Sequence, residues 1–98
     1  MEKVEKYPRL SKTMAGRLHQ LRLKKHRDER GVFVAEGGKC VGDTLGHFEL
    51  VSLVATEKWF SGRPHVDGEV FLAGSDQMRQ VSSLSTAPEV LAVYRQPE

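Results

Sequence analysis

Arg17, Lys24, Lys25, Arg27, Arg30 and Lys39 are the residues of this chain whose type and spacing point to chemistry, and that chemistry is the holding of phosphate. They gather around one junction, where a basic amphipathic helix gives way to a short apolar strand. A Glu36-Gly37-Gly38-Lys39 turn then opens a second helix. Side-chain cations beside the free N–H groups of a helix start attract polyanions. Glu36 is expected to hold Arg27 or to accept a hydrogen bond from the turn. Gly37 and Gly38 are expected to let the backbone turn tightly off the strand.

The charge distribution agrees. Residues 1–30 hold ten Lys or Arg against four Asp or Glu, a net of +6, whereas residues 31–98 hold five against nine, a net of −4. The chain as a whole carries only +2. Such asymmetry marks a surface for a polyanion such as nucleic acid. The bland alternative is a charged helix face that merely keeps the protein in solution.

Other chemistries are poorly served. One Cys and the scattered His19, His26, His47 and His65 give no paired metal-ligand spacing, although His19 and His26 would share a face of one continuous helix. Cys40 stands beside Lys39, but a lone cysteine is expected to be a buried structural thiol. No Gly-x-Ser-x-Gly elbow occurs, and the Glu36–Lys39 turn lacks the spacing of a P-loop or a dinucleotide fingerprint. No catalytic residue and no metal site is therefore expected. No apolar run reaches the roughly 18–20 residues of a membrane helix, so no membrane partner is expected. The charged start and the single cysteine lead us to expect the cytoplasm.

The elements that position the cluster can be read from periodicity. Ser11 is a good N-cap for a first helix over about Lys12–Arg27, whose stripe is Leu10, Met14, Leu18 and Leu21; Leu23 is the misfit. Gly31 ends it. Strands are predicted at Val32–Ala35, Leu50–Ala55, Val70–Ala73 and Val90–Tyr94. Helices are predicted at Lys39–Leu45, at a short turn capped by Thr56, and from Ser75-Asp76 to near Leu84. Tyr7, Trp59 and Phe60 are the aromatics that a base could stack on, with Trp59 and Phe60 expected instead to plug the core. The alternation of elements predicts an α/β fold with helices on both faces of one small sheet. Residues 1–10 read as a flexible lead-in, 11–95 as the domain and 96–98 as the start of a linker.

These residues resemble the N-terminal substrate-binding domain of the SpoU/TrmH family of RNA 2′-O-ribose methyltransferases. The resemblance rests on Leu18-x-x-Leu21, Lys24-Lys25-His26-Arg27, Gly31-x-Phe33-x-x-Glu36-Gly37-x-Lys39-x-Val41 and the closing Leu91-Ala92-Val93. It implies the three-layer α/β/α sandwich of the L-thirty-e class of ribosomal proteins. It also implies docking of a structured ribosomal or transfer RNA. Methyl transfer from S-adenosylmethionine would belong to a following knotted domain that also forms the homodimer. That domain's motifs have no counterpart here, so no cofactor is expected in this chain. A freestanding ribosomal-protein-like RNA binder, or a protein-interaction module without an RNA role, is the alternative.

Overall fold

The computed structural model describes residues 7–97. Helix α1 spans Lys12–Gln20, and the Ser11 Oγ accepts the Met14 N–H at 3.0 Å, as the capping pattern predicts. Ala15 and Leu18 are buried on its inner face, with Leu10 before it and Leu21 after it. The expected helix over Lys12–Arg27 is nonetheless two helices. Leu21 closes α1, Leu23 is extended at φ −98° and ψ 132°, and α2 begins anew over Lys24–Arg30. The cause is composition. No residue of α2 is apolar or buried, so nothing drives that stretch onto the sheet. The misfit Leu23 lies in the break and is 59% exposed. Gly31 then ends α2 in the left-handed region at φ +67°.

The remaining elements are β1 (Val32–Glu36), α3 (Gly38–Thr44), β2 (Leu50–Ala55), α4 (Glu57–Phe60), β3 (Val70–Leu72), α5 (Ser75–Val81) and β4 (Val90–Arg95). The sheet order is β1-β4-β2-β3. The last strand slots between the first two, antiparallel to both, while β2 and β3 run parallel. An uninterrupted apolar run suits that central place, since Val90 to Tyr94 are all buried. Alternation along the strands divides two cores. Leu91, Val93 and Val54 face α1 and α5; Ala92, Tyr94 and Leu53 face α3 and α4. The result is the expected three-layer α/β/α sandwich.

Three boundaries differ from expectation. Residues 7–10 are no loose lead-in. Tyr7 and Leu10 are buried, the Leu10 N–H bonds the Leu72 carbonyl, and the Leu72 N–H bonds the Pro8 carbonyl, each at 2.8 Å. Residues 1–6 and 98 lie outside the described residues. At the other end Gln96 is anchored, its N–H to the Gly31 carbonyl at 2.8 Å and its amide nitrogen to the Val32 carbonyl at 3.0 Å. Finally, α5 stops at Val81 because Ser82 turns extended at φ −83° and ψ 149°.

Candidate nucleic-acid interface

The break between α1 and α2 forms an elbow held by two of the predicted arginines. Arg27 Nη1 donates to the carbonyls of Leu21 and Arg22 at 2.9 and 3.0 Å. Arg30 Nη2 donates to Gln20 Oε1 at 2.6 Å, and its Nη1 to the Arg17 carbonyl at 3.4 Å. The last carbonyls of a helix have no partner inside it, and a cation there also meets the negative end of the dipole. Arg27 and Arg30 thus have structural work to do. A guanidinium has five donors, so each keeps N–H groups for another acceptor.

Arg17, Lys24 and Lys25 are exposed on the same elbow. Lys24 pairs with Asp28 at 2.6 Å across one helical turn. That ammonium, then the Gln96 amide, holds the Asp28 carboxyl below its usual range. Both partners are half or more exposed, so the pair is weak and open to competition from phosphate. Arg22 donates to His19 Nε2 at 2.8 Å, leaving Nδ1–H to donate to the Gln80 carbonyl at 2.7 Å. His19 and His26 lie on separate helices, so the expected shared face is lost at the break. His26 meets Glu29 instead, at 3.4 Å.

Lys39 stands apart from this elbow. It belongs to the first turn of α3, on the opposite layer of the sandwich, exposed and loosely paired with Asp43 at 3.5 Å. The edge strand β1 separates the two basic regions, with α2 leading into it and the Gly37 turn leading out. Gly37 takes φ +97° and ψ 153°, a conformation reserved for glycine, and its N–H bonds the Val90 carbonyl at 2.9 Å. Gly38 shares none of that demand, since it is already the first residue of α3.

Glu36 is bound to neither Arg27 nor the turn. Its carboxylate accepts from the Ser82 hydroxyl and from the hydroxyl and N–H of Ser83, just after α5. Cys40 is likewise corrected. It is exposed, because Val41 is the residue that α3 buries and the next position round the helix faces water. Trp59 and Phe60 are buried in the core as expected, and Tyr7 joins them, its ring 4.3 Å from Phe60. None of these three offers a free face to a base.

Two grooves flank α1. One, of about 240 Å³, has Leu18, Leu21 and Val81 beneath it, with Arg22, Arg27, Val34 and Glu36 around it. The other, of about 270 Å³, opens over Met14, Val51 and Val93 and is ringed by Arg17, Arg30 and Arg95. Arg95 was missed by sequence reasoning, because it lies 65 residues beyond Arg30 and only the central place of β4 brings it here. Among the described residues no group of three His, Cys, Asp or Glu could hold a metal.

Residues 16–92 match the family model of the MRM3-like substrate binding domain. The chain belongs to that family. As an MRM3-like substrate binding domain it is similar to a protein assigned to the TrmH family of RNA methyltransferases from Porphyromonas gingivalis, with 32% identity and a TM-score of 0.75 over 90% of this chain. It shares its fold with an rRNA methyltransferase from Sinorhizobium meliloti, at 24% identity and a TM-score of 0.70 over 90% of this chain. It also shares it with the SpoU methyltransferase AviRb from Streptomyces viridochromogenes, solved with AdoMet bound, at 16% identity and a TM-score of 0.69 over 90%. The chain spans only 36%, 35% and 37% of those three proteins. No curated protein sequence matches it.

Proposed function

We propose that this domain grips the RNA substrate of a SpoU/TrmH-type 2′-O-ribose methyltransferase, a ribosomal or transfer RNA, in the cytoplasm. Methyl transfer from S-adenosylmethionine falls to a separate catalytic domain, which also makes the homodimer. The observation that carries the reading is the α1–α2 elbow, whose exposed Arg17, Lys24 and Lys25 stand on a fold shared with RNA methyltransferases. Arg27 and Arg30 add their spare donors, and Lys39 meets RNA that crosses the edge of β1. Phosphate contacts of this kind position a nucleic acid without reading its sequence.

The test is RNA affinity against salt. About four neutralised phosphates give a log–log slope of roughly −3. A flat response would reject the phosphate grip and favour a protein-interaction module. Calorimetric titration with S-adenosylmethionine should give no saturable heat with this domain. Tight cofactor binding would overturn the division of labour.

A further inference from the structure

Arg17, Arg30 and Arg95 come from α1, α2 and β4, yet they ring one groove. Its floor is Met14 and Val51, both half-buried, with Val93 beneath. Val51 is there because β2 carries an extra residue. Leu50 faces Tyr94 and Ser52 faces Val93, so Val51 has no partner on β4 and turns toward α1. Arg95 is exposed, and its only ion pair among the described residues is with Glu49 at 3.4 Å, both side chains more than half exposed. Such a pair yields readily to a better anion. One carboxylate, Glu69, also lines the groove.

The chemistry is that of one nucleotide. Three guanidiniums offer planar forks that fit a phosphodiester and stack on rings. The apolar floor suits the face of a base, and Glu69 can accept from an exocyclic amine or a ribose hydroxyl. At about 270 Å³ the groove falls just under the roughly 300 Å³ at which drug-sized pockets begin. A single ring system fits over that floor between the three arginines, and since a duplex keeps the faces of its bases covered by stacking, a base reaches the groove only when splayed out of the helix.

We propose that the groove between α1 and the β1-β4-β2 surface holds one unpaired nucleotide of the RNA, its base on Met14 and Val51 and its phosphate on Arg17 and Arg95. This rests on the RNA-gripping reading above and adds to it a preference for a bulge or loop. RNA proteins commonly recognise such splayed bases.

The experiment uses two RNA hairpins of equal length, one fully paired and one with a single bulged 2-aminopurine. The parent should bind the bulged hairpin roughly tenfold more tightly, the order expected for one sequestered base, with a change in 2-aminopurine fluorescence. Arg95→Gln and the groove-filling Val51→Trp should each abolish the preference while leaving the paired hairpin bound nearly as before. Lys24→Gln, outside the groove, should weaken both hairpins alike. A melting curve checks that Val51→Trp is folded, and the exposed Arg95→Gln decides the matter if it is not. Equal binding of the two hairpins by the parent, or a preference that survives Arg95→Gln, overturns the nucleotide site and leaves the wider reading standing. Absence of binding to either hairpin at low salt overturns both.

Discussion

Glu36 and Ser83 stand 47 residues apart in the chain and meet at 2.7 Å, carboxylate to hydroxyl, with the Ser83 N–H donating to the same carboxylate at 3.2 Å. The Ser82 hydroxyl, in a residue only 4% exposed, completes the clasp. It ties the end of β1 to the exit of α5 and so fixes where the basic turn begins. Removing the acceptor leaves a buried hydroxyl without its partner, a cost of about 1–3 kcal/mol. Glu36→Ala should therefore lower the melting temperature by roughly 4–8 °C per kcal/mol lost, as for domains of this size. RNA affinity measured well below the melt should not change. A variant as stable as the parent would show that the clasp contributes nothing.

Arg17 and Arg27 were equivalent in the sequence, and the structure separates them. Arg17 is exposed, whereas Arg27 satisfies two carbonyls at the elbow. Arg17→Ala should reduce the salt slope of RNA binding by about 0.7–0.9 and leave stability within about 0.5 kcal/mol, as for ordinary surface changes. Arg27→Ala should cost about 1–3 kcal/mol of stability, two hydrogen bonds at about 0.5–1.5 kcal/mol each. Chemical denaturation of the two variants distinguishes them, and equal stabilities would deny Arg27 its place as a staple.

The difference between those arginines shows what the sequence could and could not tell. Elements with strong local signals were legible. Ser11 and Thr56 cap α1 and α4 as their side chains predict, and the run Val90 to Tyr94 reads as a strand, which the structure buries on both faces. The lysines and Arg17 were legible as exposed charge, because Lys and Arg are almost never fully buried unless paired. Relations that depend on chain return were hidden. The Glu36 clasp, the insertion of β4 and the approach of Arg95 to Arg17 all join residues more than 30 positions apart, with no local trace. The helix break was half-visible, since Leu23 was already off the apolar stripe. It becomes intelligible only when Arg27 is seen bonding back across the gap.

Tyr94 makes stability depend on alkaline pH. Its side chain is fully buried, and burial pushes the phenol above its usual value of 10, partly offset by a hydrogen bond with Thr44 at 2.8 Å. A phenol whose folded pKa is raised contributes stability that is whole below about 10 and is lost as pH rises through the folded value. The domain should keep its melting temperature up to about pH 9 and lose stability as pH rises above about 10. Tyr94→Phe cannot ionise and should flatten that loss, while giving up about 1 kcal/mol at neutral pH with its hydrogen bond. An unchanged alkaline limb in Tyr94→Phe would assign the loss to another group.

Gly37 and Gly38 look alike in sequence and should behave oppositely when replaced. Gly37 occupies φ +97°, while Gly38 is helical, and at either position an added Cβ meets no atom within 4 Å beyond its chain neighbours and, for Gly38, its own helix backbone. Any effect is thus one of backbone alone. Gly37→Ala forces a side chain into a conformation that costs about 1–3 kcal/mol. Gly38→Ala removes freedom from the unfolded chain and should stabilise by about 0.4–1 kcal/mol. The neighbouring Lys39→Ala gives up only an exposed pair with Asp43, so the melting temperature should hold. If RNA crosses the β1 edge as proposed, Lys39→Ala should still weaken binding by on the order of 1 kcal/mol, as for a charge-assisted hydrogen bond. Thermal unfolding and RNA titration of the three variants give the answer. Equal melting temperatures for the two glycine variants would remove the strained turn, and parent-like RNA affinity in Lys39→Ala would confine the contact to the α1–α2 elbow.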